Sequence, residues 1–283
     1  MGSASPIAAH RAPRLRSPGM AVANPLRRHM SLYRNFVRRE VRQRYKGSAL
    51  GLGWTLLNPL IMVAAYWVVF KFLFGSTIPN FALFIFVGLT VWTLFFGGLT
   101  IAANSLVANA ALVTKVSFPR QIIPLAAMTS NSVIAGAMLA IAIPLCIILG
   151  GGSLLPLVLL PVVLGLAIAF TAGFGLALSA INVYFRDVEH VLAAISVPWF
   201  FLTPIFYTFS SLPESAQSHQ WLLSALHYGN PISPFVIVTQ DVLFFGSWPS
   251  ITDAAYCVVA AALMLAIGLV VFHRLKDEMA VEL

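Results

Sequence analysis

The chain has 283 residues, of which 59% are hydrophobic and only 9% charged, against roughly a quarter charged in an ordinary soluble domain. A globule of this size must cover itself with charge, so a soluble enzyme is excluded, and disorder over most of the length is excluded by the same apolarity. The formal net charge of +8 is concentrated: 11 of the 17 Lys and Arg lie between Arg11 and Lys46. A basic end beside apolar spans implies contact with anionic headgroups and sets orientation. No folded nucleic-acid module fits before the first span, so nucleic acid is not expected as a partner.

Residues 1–30 are rich in Ala, Pro, Arg and Ser, contain no acid, and carry Pro6, Pro13, Pro18 and Pro25. Those prolines break a helical pattern, and a disordered N-terminal tail is expected. Its composition is also similar to an organellar transit peptide; an added leader, or a start placed upstream of Met20 or Met30, explains it equally. Residues 31–47 differ. Leu32, Tyr33, Phe36, Val37, Val41 and Tyr45 recur at a helical period, with Ser31 as a candidate N-cap and Gly47 as a stop. An amphipathic helix in the cytoplasmic membrane interface is expected, with Arg34, Arg38, Arg39, Arg42 and Arg44 as its charged positions.

Residues 48–283 form the expected transmembrane domain. Six apolar stretches, near 54–74, 81–106, 122–149, 154–181, 190–208 and 254–273, are candidates for crossing a core of roughly 30 Å. The fifth is the shortest and carries Pro198 and Pro204, so it should bend. With the N-terminus cytoplasmic, the outward connections 75–80, 150–153 and 209–253 hold no Lys or Arg. The inward ones carry Lys115 and Arg120, then Arg186, then Arg274 and Lys276. This places both termini on the cytoplasmic side, and leaves Lys71 to snorkel from the outer end of the first span. Segment 209–253 is interrupted by Gly229, Pro231 and Pro234; a pair of re-entrant helices and a surface loop both fit it. The expected class is therefore an all-α membrane protein with six transmembrane helices.

No interior position of the expected spans carries Asp, Glu, Arg or His. That removes the coupling group of a secondary transporter and the base of an intramembrane hydrolase. The histidines fall in tails, loops or span ends and read as solvated or interfacial side chains. Cys146 and Cys257 lie inside apolar runs and read as small packing residues, with no metal or disulfide spacing. No GxxxxGK[ST] phosphate loop exists. A six-span protein without an evident energy source is either half of a pump whose motor is another polypeptide, or a passive channel or scaffold. Neither a polar filter nor a charged ring supports the channel.

At 34–60, RNFVRREVRQRYKGSALGLGWTLLNPL, the chain resembles the permease subunits of ABC exporters for polysaccharides, the O-antigen and teichoic-acid group. LVTKVSFPRQIIP at 112–124, INVYFRDVEHVL at 181–192 and HYGNPISPFV at 227–236 extend the resemblance over most of the chain after residue 30. Capsule exporters are cousins, and drug or lipid exporters a more distant alternative. The resemblance implies a homodimer of permeases paired with two copies of a separate nucleotide-binding ATPase, which binds the ATP and Mg; this chain needs no cofactor or metal and has no catalytic residue. It implies a polyprenyl-pyrophosphate-linked polysaccharide as cargo and a bacterial inner membrane as location. It also implies that the loop holding Lys115, Phe118, Pro119 and Arg120 docks into the ATPase.

Three residue sets follow as expectations. Arg186, Asp187 and Glu189 are candidates for a second ATPase contact, or for pairing with each other at the surface, where such pairs contribute little. Arg38, Arg39, Arg42, Arg44 and Lys46 are candidates for gripping a pyrophosphate headgroup, since guanidinium forks match phosphate; general attraction to lipid headgroups explains the same residues. Tyr66, Trp67, Phe70, Trp199, Phe200 and Tyr207 are candidates for a channel lining, because aromatic rings cover the C–H faces of sugars without fixing register. Packing or interface belts are the alternative for each ring.

Overall fold

A computed structural model describes residues 25–45, 53–73, 75–116, 118–150, 152–212, 218–276 and 278–282. The first helix, α1, runs Pro25–Tyr45. It begins at Pro25 rather than at Ser31, so Ser31 lies inside the helix and does not cap it. The boundary drawn at residue 30 moves accordingly. Proline is tolerated in a first helical turn, where its missing N–H has no partner to lose. Residues 1–24 and Lys46, Gly47 lie outside the described residues.

Among the described residues, five helices are long and apolar enough to cross a membrane. The first is α2, Gly53–Trp67, which widens into a π turn over Val68–Leu73. The second joins α3, Phe81–Trp92, to α4, Gly98–Ala108, through a π turn at Thr93–Gly97. A short α5, Ala110–Lys115, follows. The remaining long helices are α6, Ile122–Leu149, α7, Leu160–Tyr184, and, later in the chain, α11, Ile251–Leu275. Between α7 and α11 lie α8, Val188–Leu202, and two short helices on the far side: α9, Gln220–Ser224, continued to Gly229, and α10, Ser233–Gln240, continued to Phe245. A last turn, α12, is Met279–Glu282.

The stretch expected over 190–208 is helical only to Leu202, so α8 rises about 22 Å. The cause is Pro204. It disfavours helical backbone at the preceding residue, and Thr203 is extended at φ −90°, ψ 136°. The chain continues as a buried, non-helical link through Phe206. Beyond it, segment 209–253 holds two short helices, and α10 buries Phe235, Val236 and Val238 in the main core. It is therefore not a loop resting on the surface.

The helix α3–α4 is the centre of the bundle. Of its most apolar stretch 72% is buried, against 11% for α2. Its π turn is held by Asn131 of α6, whose Nδ2 donates to Thr93 O at 2.8 Å. Gly97 makes room for that amide, since a Cβ there would lie 3.0 Å from it. α7 and α11 pack closely. Gly173 and Gly268 face each other there, and a Cβ on Gly268 would lie 2.0 Å from Gly173 O. Small residues let backbones approach where lipid offers no hydrophobic drive. Both cysteines are buried packing residues.

Candidate functional site

The chemistry-bearing residues gather at the two ends of the bundle and along an aromatic seam between them. At the basic end, α1 packs on α6 and presents two faces. Arg34, Arg38 and Arg42 are exposed and spaced four residues apart, so they form one ridge. Arg39 is tied down: its Nη2 meets Glu40 Oε1 at 3.1 Å, donates to Asn109 Oδ1, and its guanidinium lies 5.0 Å from the Phe36 ring centre. Arg44 turns toward the bundle, donating to Asn131 Oδ1 at 3.4 Å. The Tyr33 hydroxyl bonds that of Thr129 at 2.5 Å. Of the five residues expected to grip a headgroup, then, Arg38 and Arg42 are presented to solvent, Arg39 and Arg44 serve the helix contacts, and Lys46 lies outside the described residues. Arg34 joins the ridge; its i, i+4 spacing to Arg38 was the signal in the sequence.

The loop between α5 and α6 borders a cavity of about 560 Å³, lined by Thr114, Lys115, Phe118, Pro119, Phe272 and His273 among others. Lys115 is exposed. Phe118 stacks on Phe36 of α1, ring centres 5.8 Å apart, so this loop and the basic helix are in direct contact. Arg120 is not a free cation: its guanidinium donates to the Lys276 carbonyl. The Tyr184 hydroxyl donates to the neighbouring Leu275 carbonyl at 2.9 Å. Together they cap the C-terminus of α11, where the helix dipole favours donors and positive charge. Arg186 and Asp187 are exposed beside an exposed Phe185. No ion pair joins Arg186 to Asp187 among the described residues.

The six aromatic candidates divide. Tyr66, Phe70 and Phe200 come together around Phe206: Phe70 stacks on it at 4.8 Å, Tyr66 meets it at 4.7 Å and Phe200 at 5.0 Å. Trp92 carries the seam on, 5.3 Å from Phe200 and 6.4 Å from Trp199. Trp199 is held by its indole N–H, which donates to Asn230 Oδ1 at 2.8 Å. Asn230 in turn donates to Thr203 Oγ1 at 3.0 Å, tying α8 to the α9–α10 hairpin. Trp67 stands apart, exposed and touching Phe72. Tyr207 belongs to a separate cavity at the far end. Phe206 and Trp92 are central to the seam and were missed as site residues. Phe206 stands in a Pro-bearing link with no periodicity, and Trp92 lies within a continuously apolar run that marks no face.

His227 is not the solvated side chain its position implies. It lies between the Phe209 and Tyr228 rings, 5.0 and 4.1 Å away, with Nε2 2.8 Å from Oδ1 of the buried Asp253. Asp253 is the third residue of α11, so this contact brings the continuation of α9 against the start of the last long helix. Lys71 Nζ donates to Ser76 O at 2.9 Å, in the connection that follows its helix. Among the described residues no group of His, Cys, Asp and Glu has the arrangement of a metal site.

Comparison with known proteins places this architecture. The family model described as ABC-2 type transporter matches residues 31–244. A curated relative from Myxococcus xanthus, named O-antigen export system permease protein RfbA, is 31% identical over 260 residues, covering 90% of this chain and 96% of that protein. Two proteins of the same name from Klebsiella pneumoniae are 29% and 28% identical over 247 residues, each covering 86% of this chain and 91% of their own length. On the family match and its apolar helices, the chain belongs to the ABC-2 type transporter membrane family.

Proposed function

We propose that this protein is the permease subunit of an ABC exporter that carries a lipid-linked, O-antigen-like polysaccharide outward across the bacterial inner membrane, driven by ATP hydrolysis in a separate subunit. The observation that carries the reading is the near-full-length match to relatives named for O-antigen export. The division of chemistry between the two ends supports it. The ridge of Arg34, Arg38 and Arg42 suits a pyrophosphate headgroup, because exposed guanidinium forks bind phosphate oxygens in pairs. The Lys115–Pro119 loop offers an open cavity and an exposed cation to an ATPase, and Arg186 and Asp187 a second contact. The Phe36–Phe118 stack would pass movement of that loop to the basic helix.

In this reading both termini are cytoplasmic, α8 with its extended link makes the sixth crossing, and α9–α10 is re-entrant. Two permeases pair with two ATPase copies, and the ATPases bind ATP and Mg²⁺. The aromatic seam, with the exposed faces of α2 and α8, lines the path of the polymer between permeases. Deleting the gene should trap lipid-linked glycan in the cytoplasmic leaflet, and the purified permease should hydrolyse ATP only with its ATPase present. Unchanged surface glycan after deletion would refute the reading, as would robust ATP hydrolysis by the permease alone.

A further inference from the structure

A cavity of about 450 Å³ opens at the end of the bundle opposite α1, within the range of roughly 300–1,000 Å³ that small-molecule sites occupy. Its walls come from three places: the 77–79 loop after α2, the Pro204–Ser211 link after α8, and α10. Tyr207 and Phe209 set two rings nearly at right angles, 6.0 Å apart at 78°. Asp241, Gln240, Thr77, Thr208 and Ser210 are among the other lining residues. Gln240 is buried, and its Nε2 packs over Gly88 of α3 rather than facing the cavity, 2.9 Å from where a Cβ on that glycine would lie. The half-buried Asp241 carboxylate makes no hydrogen bond or ion pair among the described residues. Half-buried carboxylates ordinarily find partners, so an unpartnered one on a cavity wall beside two aromatic rings points to a ligand that supplies it.

The chemistry selects the ligand. Among the described residues no Lys or Arg lines the cavity, and a carboxylate repels phosphate or an acidic sugar. One carboxylate among hydroxyls and aromatic rings is a poor cage for a divalent cation, which takes six or more oxygens. A neutral sugar fits each part: its hydroxyls donate to the carboxylate, and its C–H face rests on a ring. We infer that this cavity is a binding subsite for neutral sugar units of the emerging polymer on the far face of the permease. The inference rests on the export reading above and adds to it a site that grips glycan after passage, which disfavours backsliding.

The test uses the whole transporter, permease with its ATPase, in nanodiscs. The probe is short oligosaccharide made by partial acid hydrolysis of the source cell's own surface polymer, with saturation-transfer NMR as readout. Wild type should bind the fragments, and Asp241→Asn should weaken binding about tenfold, since a charged acceptor bonds more strongly than a neutral one. Ser210→Trp, at an exposed turn on the rim, should block the mouth without touching the core; ATPase activity in both variants confirms assembly. Fragment binding equal to wild type in both variants overturns the inference, as does a wild-type transporter that exports polymer in cells but binds no fragment. Binding of calcium alone, lost in Asp241→Asn while fragments are ignored, overturns it in favour of a cation. Surface polymer that persists after gene deletion would instead remove the export reading and this subsite with it.

Discussion

Replacing Gly173 and Gly165 by alanine, one at a time, should move the stability of the protein in opposite directions. Both glycines lie in α7, eight residues apart. A Cβ on Gly173 would lie 2.3 Å from Met264 O, 2.4 Å from Met264 C and 2.5 Å from Leu265 Cα. All three are backbone atoms of α11, so no side chain can rotate away, and the helices must part by about an ångström to restore ordinary contact. Overpacking of this kind costs about 1–3 kcal/mol, and the backbone character of the clash puts Gly173→Ala at the upper end. A Cβ on Gly165 would meet nothing within 4 Å. There the substitution only removes glycine's excess freedom in the unfolded chain, a gain of about 0.5–1 kcal/mol. The two variants should therefore differ by about 3 kcal/mol, which separates their melting temperatures by on the order of 10 °C. Tryptophan fluorescence on heating in nanodiscs reads this directly. A Gly173→Ala protein as stable as wild type would refute the close approach of α7 and α11. A Gly165→Ala protein destabilised to the same degree would show that contact distance does not set the sign.

Other expectations follow from the same contacts. Phe118→Asp, which breaks the stack on Phe36, should uncouple ATP hydrolysis from glycan export while membrane insertion, checked by carbonate extraction, is retained. The double change Arg38→Glu and Arg42→Glu should abolish binding to pyrophosphate-bearing lipid vesicles at unchanged melting temperature. Arg39→Ala should instead lower the melting temperature by a few degrees, because that guanidinium holds Glu40, Asn109 and Phe36. Trp199→Phe removes the indole bond to Asn230 and should cost about 1 kcal/mol in thermal unfolding, with the loss absent in a protein already carrying Asn230→Leu.

Particular residues show where sequence reasoning held and where it stopped. The apolar runs, their lengths and the arginine-dense start were legible, because a chain that must satisfy its backbone in lipid has few ways to do so. The motifs around Arg44–Pro59 and Lys115–Pro124 carried the family, which the comparisons show. The helix start was misplaced, since Pro25 reads as a breaker by composition and as a first-turn residue only when its position is seen. Among the arginines of α1, one pattern covered residues with different duties. Arg38 and Arg42 face outward, Arg39 and Arg44 reach across to Asn109 and Asn131, and those partners lie 70 and 87 residues away. His227 and Asp253 each looked unremarkable, and only the fold brings them to 2.8 Å.

The sequence by itself determined the solvent of this protein, the runs able to cross it and the end that carries the charge. Each of those follows from the cost of placing polar groups in hydrocarbon, which every residue reports locally. Which apolar face packs and which meets lipid was decided by tertiary structure alone. In water a helix marks its buried side by contrast with a polar one; in a bilayer both sides are apolar and the contrast disappears. Gly165 and Gly173 therefore read alike along the chain, and only the passage of α11 beside one of them makes them different.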